Sequence, residues 1–405
     1  MNSIKNTRIG FLGSINAMPM AYALRFHRDG FDVKYVVDAL KNDTLNRPEH
    51  QFSREISYPY PPWIIESPVD YRLATHAFAE TSYTEAARHM ADRDVIFLNH
   101  YGLALSNKLP RSAKLIALSS GSDIDVHCNK AAIWPNSFDI RRKWLQPLAL
   151  ALNHIRTHKQ RRGLSQATCI SYFPQGLNSI GDNIVAEFLH KNKNTKFIPR
   201  FDVDFESTGI RFSAKKFQRV RKIIIPVRLN INPSPGSSFE YKGNDLIIEA
   251  LAMYSKHNPE ATFHLTSKGP AKDLSFAQEL CRKLGIESRV NWLKPMPLPD
   301  LLEEYYSSDI CIDQVGSHWM GAIGAYALYS GTPLIANWRP EVFAKEWGSD
   351  VPIMQATTAE QIYSHLIACD DPDFRRGLSV KSHDFAKKFL SAEIAYQAFL
   401  NFIST

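Results

Sequence analysis

Short apolar runs alternate along this chain with longer stretches whose apolar residues recur at helical spacing. The runs at 8–13, 31–37, 94–99, 114–118, 168–173 and 195–198 predict buried strands, and 17–29 and 75–91 predict amphipathic helices, the first ended by Gly30. A second series starts at 222–229 (KIIIPVRL). It continues as helix 243–256, strand 262–267, helix 272–284, strand 289–293, helix 298–307, strand 309–313, helix 321–330 and strand 332–336. Repeated strand–helix alternation predicts parallel sheets covered on both faces. The expected fold class is therefore α/β, with two doubly wound Rossmann-like domains facing a cleft. Residues 1–205 form the first domain, 206–385 the second, and 386–405 a closing helix, with the linker in 205–221. The Pro- and Tyr-rich stretch 40–70, which contains SYPYPPW, reads as a long loop beside the edge of the first sheet.

Composition narrows the class. The chain has 405 residues and a hydrophobic share of 44%, enough for two cores; its mean hydropathy is −0.27. It has no apolar run of membrane-spanning length and no signal-peptide layout at its start, so a cytoplasmic protein is expected. The five cysteines are scattered without a CxxC pair, which reads as buried thiols and no metal site. A net charge of +7 is concentrated in 141–163, where seven Lys/Arg (141, 142, 143, 156, 159, 161, 162) occur without an acid. Trp144, Leu145, Leu148, Leu152 and Ile155 recur between them at roughly helical spacing. This stretch suits either a solvated helix or the anionic inner face of a membrane, which would make the protein peripheral there. The aromatics do not interleave with the cations as in nucleic-acid binders, so nucleic acid is not an expected partner.

Candidate chemistry gathers where strands run into helices. Arg228 ends the first strand of the second series, and Lys242-Gly243 opens its first helix. Two fixed cations there suit a diphosphate, or else pair with carboxylates at the surface. Ser267-Lys268-Gly269-Pro270 is a strand-to-helix turn that approaches a ligand closely. Between Gly316 and Gly324, small residues (Gly316, Ser317, Gly321, Ala322, Gly324) open a helix onto a phosphate, with Ile323 in its first turn. His318 there either donates to a phosphate or sugar hydroxyl or packs as a cap. Tyr326 in the following helix is either a ligand contact or a core aromatic. In the first domain the loops Gly13-Ser14-Ile15-Asn16, Asn99-His100-Tyr101-Gly102 and Ser119-Ser120-Gly121-Ser122-Asp123 follow strands. Asp123 or His100 could orient an acceptor hydroxyl or take its proton, or each could be a satisfied loop residue.

These segments resemble the large family of retaining GT-B-fold glycosyltransferases. Arg228…Lys242-Gly243 with NDLIIEAL is similar to that family's diphosphate pair, TSKGP to its Gly-x-Gly-Pro turn, and SGTPLIA to its A-x-G-x-P-V-I-A strand entry. RVNWLKPMPLPDLLEEYYSSDICI, which contains Lys294, resembles its V-x-F-L-G…L-x-x-Y-x-x-A-D-V segment. IPRFDVDFES resembles the end of its first domain, and IALSSGSDID its T-x-H-G-x-D loop. The resemblance implies a transfer of a sugar, with retention, from a nucleoside-diphosphate sugar to a hydroxyl of a cell-envelope glycan or lipid-linked acceptor. Neither a metal nor a resident cofactor is implied. Arg228, Lys242, His318 and Asp123 would be catalytic. Gly269, Lys294, Gly321, Ala322, Ile323 and Tyr326 would hold the donor, and Gly13, Ser14, Asn16, His100 and Ser120 would face the acceptor. The chain departs from the pattern at three places. His318 and Tyr326 stand where the family carries two glutamates, Ser120 stands where it carries a histidine, and an insertion, NINPSPGSSFEY, separates Arg228 from Lys242. An inactive binding subunit and a sugar-nucleotide epimerase are the alternative readings.

Overall fold

A computed structural model describes residues 4–69, 72–79, 83–138, 142–200, 203–213, 219–233, 240–316 and 319–405. The chain forms two compact units, one comprising 1–208 together with 392–405 and the other 209–391. Each is built on one all-parallel sheet.

The first unit carries β1 (Arg8–Leu12), β2 (Asp32–Val37), β3 (Ile64–Glu66), β4 (Val95–Leu98), β5 (Lys114–Leu118), β6 (Cys169–Tyr172) and β7 (Lys196–Pro199). They pair in the order β3-β2-β1-β4-β5-β6-β7. The central strands are buried along almost their whole length, as parallel strands covered on both faces must be. On one face Phe11 stacks on Phe97 with ring centroids 4.6 Å apart. Over that face lies the helix Pro19–Arg28, whose proline sits in its first turn, where no N–H is needed. The C-terminal helix Ala392–Ser404 returns to cover this helix. Phe399 meets the edges of Tyr22 and Phe97, each at 5.2 Å, and Tyr396 packs on Phe26 at 4.8 Å. Arg25 holds the same helix through Glu393 and reaches Asp204 at 3.2 Å.

The second unit carries β8 (Lys222–Ile225), β9 (Thr262–Thr266), β10 (Val290–Leu293), β11 (Ile310–Ile312), β12 (Leu334–Ala336) and β13 (Ile353–Gln355), in the order β10-β9-β8-β11-β12-β13. Ile223, Phe263, Ile310, Ile312 and Ile335 fill its core and are all fully buried. The predicted fold class is observed: two doubly wound α/β units whose strand order reverses beside the first strand of each, between β1 and β4 and between β8 and β11.

Several elements differ from expectation. The stretch 40–70 is not all loop, because Ile64–Glu66 adds to the sheet edge through Tyr35↔Ile64, Val36↔Ile65 and Val37↔Glu66. Three residues bounded by prolines are too short to show a period. β13 was not foreseen for the same reason. KIIIPVRL stops being strand at Ile225 because Pro226 has no N–H to give a neighbouring strand. The helix expected over 75–91 is observed as two short pieces, Leu73–Ala77 and Thr84–Arg88, with 80–82 outside the described residues. The terminal helix is interrupted after Phe389, and the amide of Ala392 bonds to the carbonyl of Val203 at 2.9 Å.

Phe399 is fully buried among aromatic rings. Phe399→Ala is expected to destabilise the first unit by about 3–5 kcal/mol, read as a lowered midpoint in urea unfolding.

Candidate functional site

In a doubly wound sheet, ligands are taken at the carboxyl ends of the strands where the order reverses. In the second unit the loops after β8 and β11 meet at that point. The amides of Val315 and Gly316 both donate to the carbonyl of Lys242, at 3.1 and 3.2 Å. Two glycines allow the approach. Gly243 sits at φ +74°, and a Cβ there would lie 2.7 Å from Val315 Cγ2; one on Gly316 would lie 2.9 Å from the Lys242 carbonyl carbon. The loop after β9 joins on the other side, where Leu229 N–H donates to the carbonyl of Lys268 at 2.7 Å. Gly269, at φ +155°, lies against Leu229, where a Cβ would come within 2.6 Å of its carbonyl oxygen. Asn230 fixes the insertion: its amide donates to Asn244 Oδ1 at 3.0 Å and its Nδ2 to the Glu240 carbonyl at 3.1 Å.

The charges at this edge are balanced. Arg228 is exposed and pairs with Glu240 at 2.9 Å, the carboxylate pairing the sequence left open. Lys242 is buried, and its ammonium is pulled down to about 8, first by desolvation and then by the positive charge of Arg228. Asp313, directly after β11, is fully buried, and desolvation raises its pKa against the pull of backbone N–H donors. Its carboxylate accepts from the amides of Gln314 at 2.7 Å and Gly321 at 3.0 Å. Gly321 caps the helix Ala322–Tyr329. Asp313 therefore ties one of the amides at this helix start, and those of Ala322 and Ile323 follow in the first turn. Tyr326 is half-buried in this helix, next to Tyr305, whose hydroxyl donates to the carbonyl of Ile323 at 3.0 Å. Lys294 is exposed just beyond β10. Ser317 and His318 lie outside the described residues.

In the first unit Gly13, at φ +96°, Asn16, at φ +53°, and His100, at φ +50°, bend the loops after β1 and β4. Ser14 donates to the buried carboxylate of Asp38. The amide of Asn16 donates to Asn46 Oδ1 at 2.5 Å. Asn99 links three strands: its Oδ1 accepts from Ile15 N–H at 3.0 Å and its Nδ2 donates to the Leu118 carbonyl at 2.9 Å. Asp123 is fully buried and accepts from Ser119 Oγ, from Ser120 N–H at 3.0 Å and from His100 N–H at 3.2 Å. Desolvation raises its pKa, opposed by these donors. His100 is pulled down to about 3 by burial and by Arg156, so its imidazole is neutral. Gly13, Ser14, Asn16, His100, Ser120 and Asp123 thus stand together at the carboxyl edge of the first sheet. Gly269, Arg228, Lys242, Gly321, Ala322 and Ile323 do so at the second.

Sequence reasoning gave no role of their own to Asp313, Asn99 and Asn230, although Asn99 opens a candidate loop and Asn230 begins the insertion. Each is a polar residue closing or directly following an apolar strand, and that position is the signal that marks them. It also missed the buried polar face of the helix Gln146–Gln166. Of the cations in the basic stretch 141–163, Arg141 lies outside the described residues, and Arg142 and Lys143 are exposed. Arg156 is turned inward and Arg161 pairs with Glu187 at 2.5 Å. Exposure gathers at the start of the helix instead, where Trp144 is 74% exposed and Leu148 56%.

No known family's sequence model matches the chain. It is similar to the D-inositol 3-phosphate glycosyltransferase of Corynebacterium kroppenstedtii, with 25% identity over 213 residues, 49% of this chain and 45% of that protein. The chain thus spans about half the length of the curated relatives it matches. Among solved structures, the sucrose-phosphate synthase of Thermosynechococcus elongatus aligns with a TM-score of 0.62 at 13% identity, over 98% of both chains. Anabaena Alr3699/HepE, in complex with UDP and glucose, aligns with a TM-score of 0.62 at 12% identity, over 99% of this chain and 100% of that one. These likenesses show the GT-B fold.

The depressed Lys242 gives the edge a pH dependence. Its ammonium is charged below about 8 and is lost as pH rises through that value. Pyrophosphate affinity measured by calorimetry is therefore expected to fall between pH 7 and 9, with the fall absent in Lys242→Ala.

Proposed function

We propose that the chain is a retaining glycosyltransferase that moves a sugar from a nucleoside-diphosphate sugar to a hydroxyl of a cell-envelope glycan or lipid-linked acceptor. The observation that carries this is the placing of Arg228 and Lys242 on one loop, stitched by the Lys242 carbonyl to the loop after β11, where the strand order reverses. The names of the relatives and the UDP and glucose bound by a structure of the same fold support it.

The donor diphosphate would take the place of Glu240 on Arg228 and lie against Lys242, whose ammonium the added anion would favour. As the glycosidic bond breaks, negative charge grows on the departing diphosphate. Two cations already fixed there stabilise it without reorganising and without a metal ion. Ala322 and Ile323 offer amides at the helix start, with Gly321 and Gly269 giving room for the backbone to approach. Lys294 and Tyr326 would add donor contacts, and the resemblance gives His318 the sequence position of a sugar-contacting residue. The acceptor belongs to the first unit, at Gly13, Ser14, Asn16, His100 and Ser120. Asp123 acts there chiefly as a positioning residue, since its oxygens already accept from Ser119, Ser120 and His100.

A lipid-linked acceptor requires access to a membrane. Trp134, Phe138, Trp144 and Leu148 are all more than half exposed, with Trp134 and Phe138 stacked at 5.4 Å. The exposed cations Lys130, Arg142 and Lys143 neighbour them in the chain. Aromatic rings with basic neighbours suit the headgroup region of an anionic bilayer. Among the described residues no helix is long and apolar enough to cross a membrane.

A panel of nucleotide sugars tests the reaction. Arg228→Ala and Lys242→Ala should each lower transfer by roughly two orders of magnitude with the fold intact by circular dichroism. Absence of turnover and of nucleotide binding across the panel would sink the assignment. For the membrane surface, sedimentation with liposomes containing anionic lipid should be weakened roughly tenfold in Phe138→Ser/Trp144→Ser, from the lost apolar burial. Binding indifferent to these changes and to salt would reject it.

A further inference from the structure

The insertion between Arg228 and Lys242 closes on itself and carries an acid back to the cations. Its two ends are pinned through one residue, Asn230. The Asn230 carbonyl accepts the amide of Lys242 at 3.1 Å, and Asn230 Nδ2 donates to the Glu240 carbonyl at 3.1 Å. The amide of Asn230 donates in turn to Asn244 Oδ1 at 3.0 Å, at the start of the helix Asn244–His257. Residues 234–239 of the insertion lie outside the described residues. The backbone of Glu240 is thus held while its side chain reaches Arg228. Glu240 Oε2 accepts from Arg228 Nη2 at 2.9 Å and lies 3.4 Å from Asn230 Nδ2. The same carboxylate acts on Lys242, whose charge it favours against burial and Arg228. One tethered carboxylate therefore bears on both cations that the proposed reaction gives to the diphosphate.

The contact can yield. The side chains of Arg228 and Glu240 are 48% and 27% exposed, and an ion pair so open to water is weak. A diphosphate, with more charge and more oxygens, displaces it. Yet the displaced carboxylate does not leave. Fixed by its own backbone, it goes on competing at an effective concentration of about millimolar or above. This matters most after transfer. Breaking the glycosidic bond frees an ionisable oxygen on the diphosphate, so the cations that stabilise the leaving group also hold the product. A competitor that weakens donor and product alike leaves the chemical step from the bound donor unchanged and hastens the release that follows.

We propose that Glu240 is an internal counter-anion for Arg228, an autoinhibitory carboxylate that an anion entering this edge must displace and that helps to expel the spent nucleoside diphosphate. That the expelled anion is a spent nucleotide rests on the proposed reaction; that Glu240 competes with oxyanions for Arg228 does not.

The test titrates pyrophosphate into the full chain by calorimetry at constant ionic strength. It is run at pH 6.5, below the value of about 8 to which Lys242 is pulled, so that Lys242 keeps its charge when a neighbouring acid is removed. Glu240→Gln preserves the side-chain shape and the main-chain bond to Asn230. It should tighten pyrophosphate binding roughly fivefold, the worth of an exposed ion pair. Glu240→Asp, which keeps the charge but draws it back from Arg228, should give a smaller gain. Asp245→Asn is the control for bulk charge: Asp245 accepts from the Tyr241 hydroxyl at 2.6 Å, one turn from Lys242. It should change affinity by less than about twofold, because an acid that does not contact the cations is screened by water and salt. Unchanged or weaker binding in Glu240→Gln, or an equal gain in Asp245→Asn, overturns the proposal. Should Glu240→Gln not fold, Glu240→Asp decides, and its failure to bind more tightly rejects the counter-anion. Absence of pyrophosphate binding in every form of the protein removes the counter-anion and the donor site together. Tighter binding in Glu240→Gln without sugar transfer from any donor would keep the counter-anion and remove the reaction.

Discussion

The carbonyl of Lys242 is the hinge on which the second unit's chemistry turns. By accepting the amides of both Val315 and Gly316 it fixes the loop after β8 to the loop after β11, on either side of the reversal in strand order. The two glycines are the condition for this contact, since a side chain at either would enter the other loop. Lys242 is buried, and the charges of Arg228, Asp313 and Glu240 all act on its ammonium. On the proposed reading, an incoming diphosphate would meet cations on loops that the backbone has already joined.

The first unit solves the same geometric problem with side chains. There, Asn99 and Asp123 do the stitching, each engaging backbone groups from neighbouring loops. Such a network is sensitive to the loss of one member, because each buried polar group left behind loses its partner. The two edges differ in character as well. The second unit has Arg228 exposed beside a buried Lys242, whereas the first buries Arg156 near the neutral imidazole of His100.

Both sheets were legible in the sequence because buried parallel strands are continuous apolar runs and their covering helices keep a clean period. In the second unit the predicted helix 298–307 and the observed Leu298–Ser307 coincide, and 262–267 differs from Thr262–Thr266 by one residue. The elements not foreseen, Ile64–Glu66 and Ile353–Gln355, are three-residue strands that owe their state to a neighbour rather than to their own pattern. The candidate loops were legible as small residues at strand ends. The groups that hold them were not, because Asp313 or Asn99 becomes informative only once its backbone partners are known. In the helix 146–166 the basic composition did not tell which cations turn inward: tertiary contacts bury Arg156 and pair Arg161 with Glu187.

The terminal helix Ala392–Ser404 makes the second unit an insertion within the first. As the chain emerges from the ribosome, the sheet of the first unit can assemble early, but Tyr22, Phe26 and Phe97 have no cover from this helix until the whole of 209–391 has been made. Closing so long a loop carries an entropic cost that grows only slowly with its length, so the delay weighs on folding kinetics more than on final stability. A nascent chain of this topology carries an apolar aromatic surface through most of its synthesis, and that interval is when it is most exposed to chaperones and to aggregation.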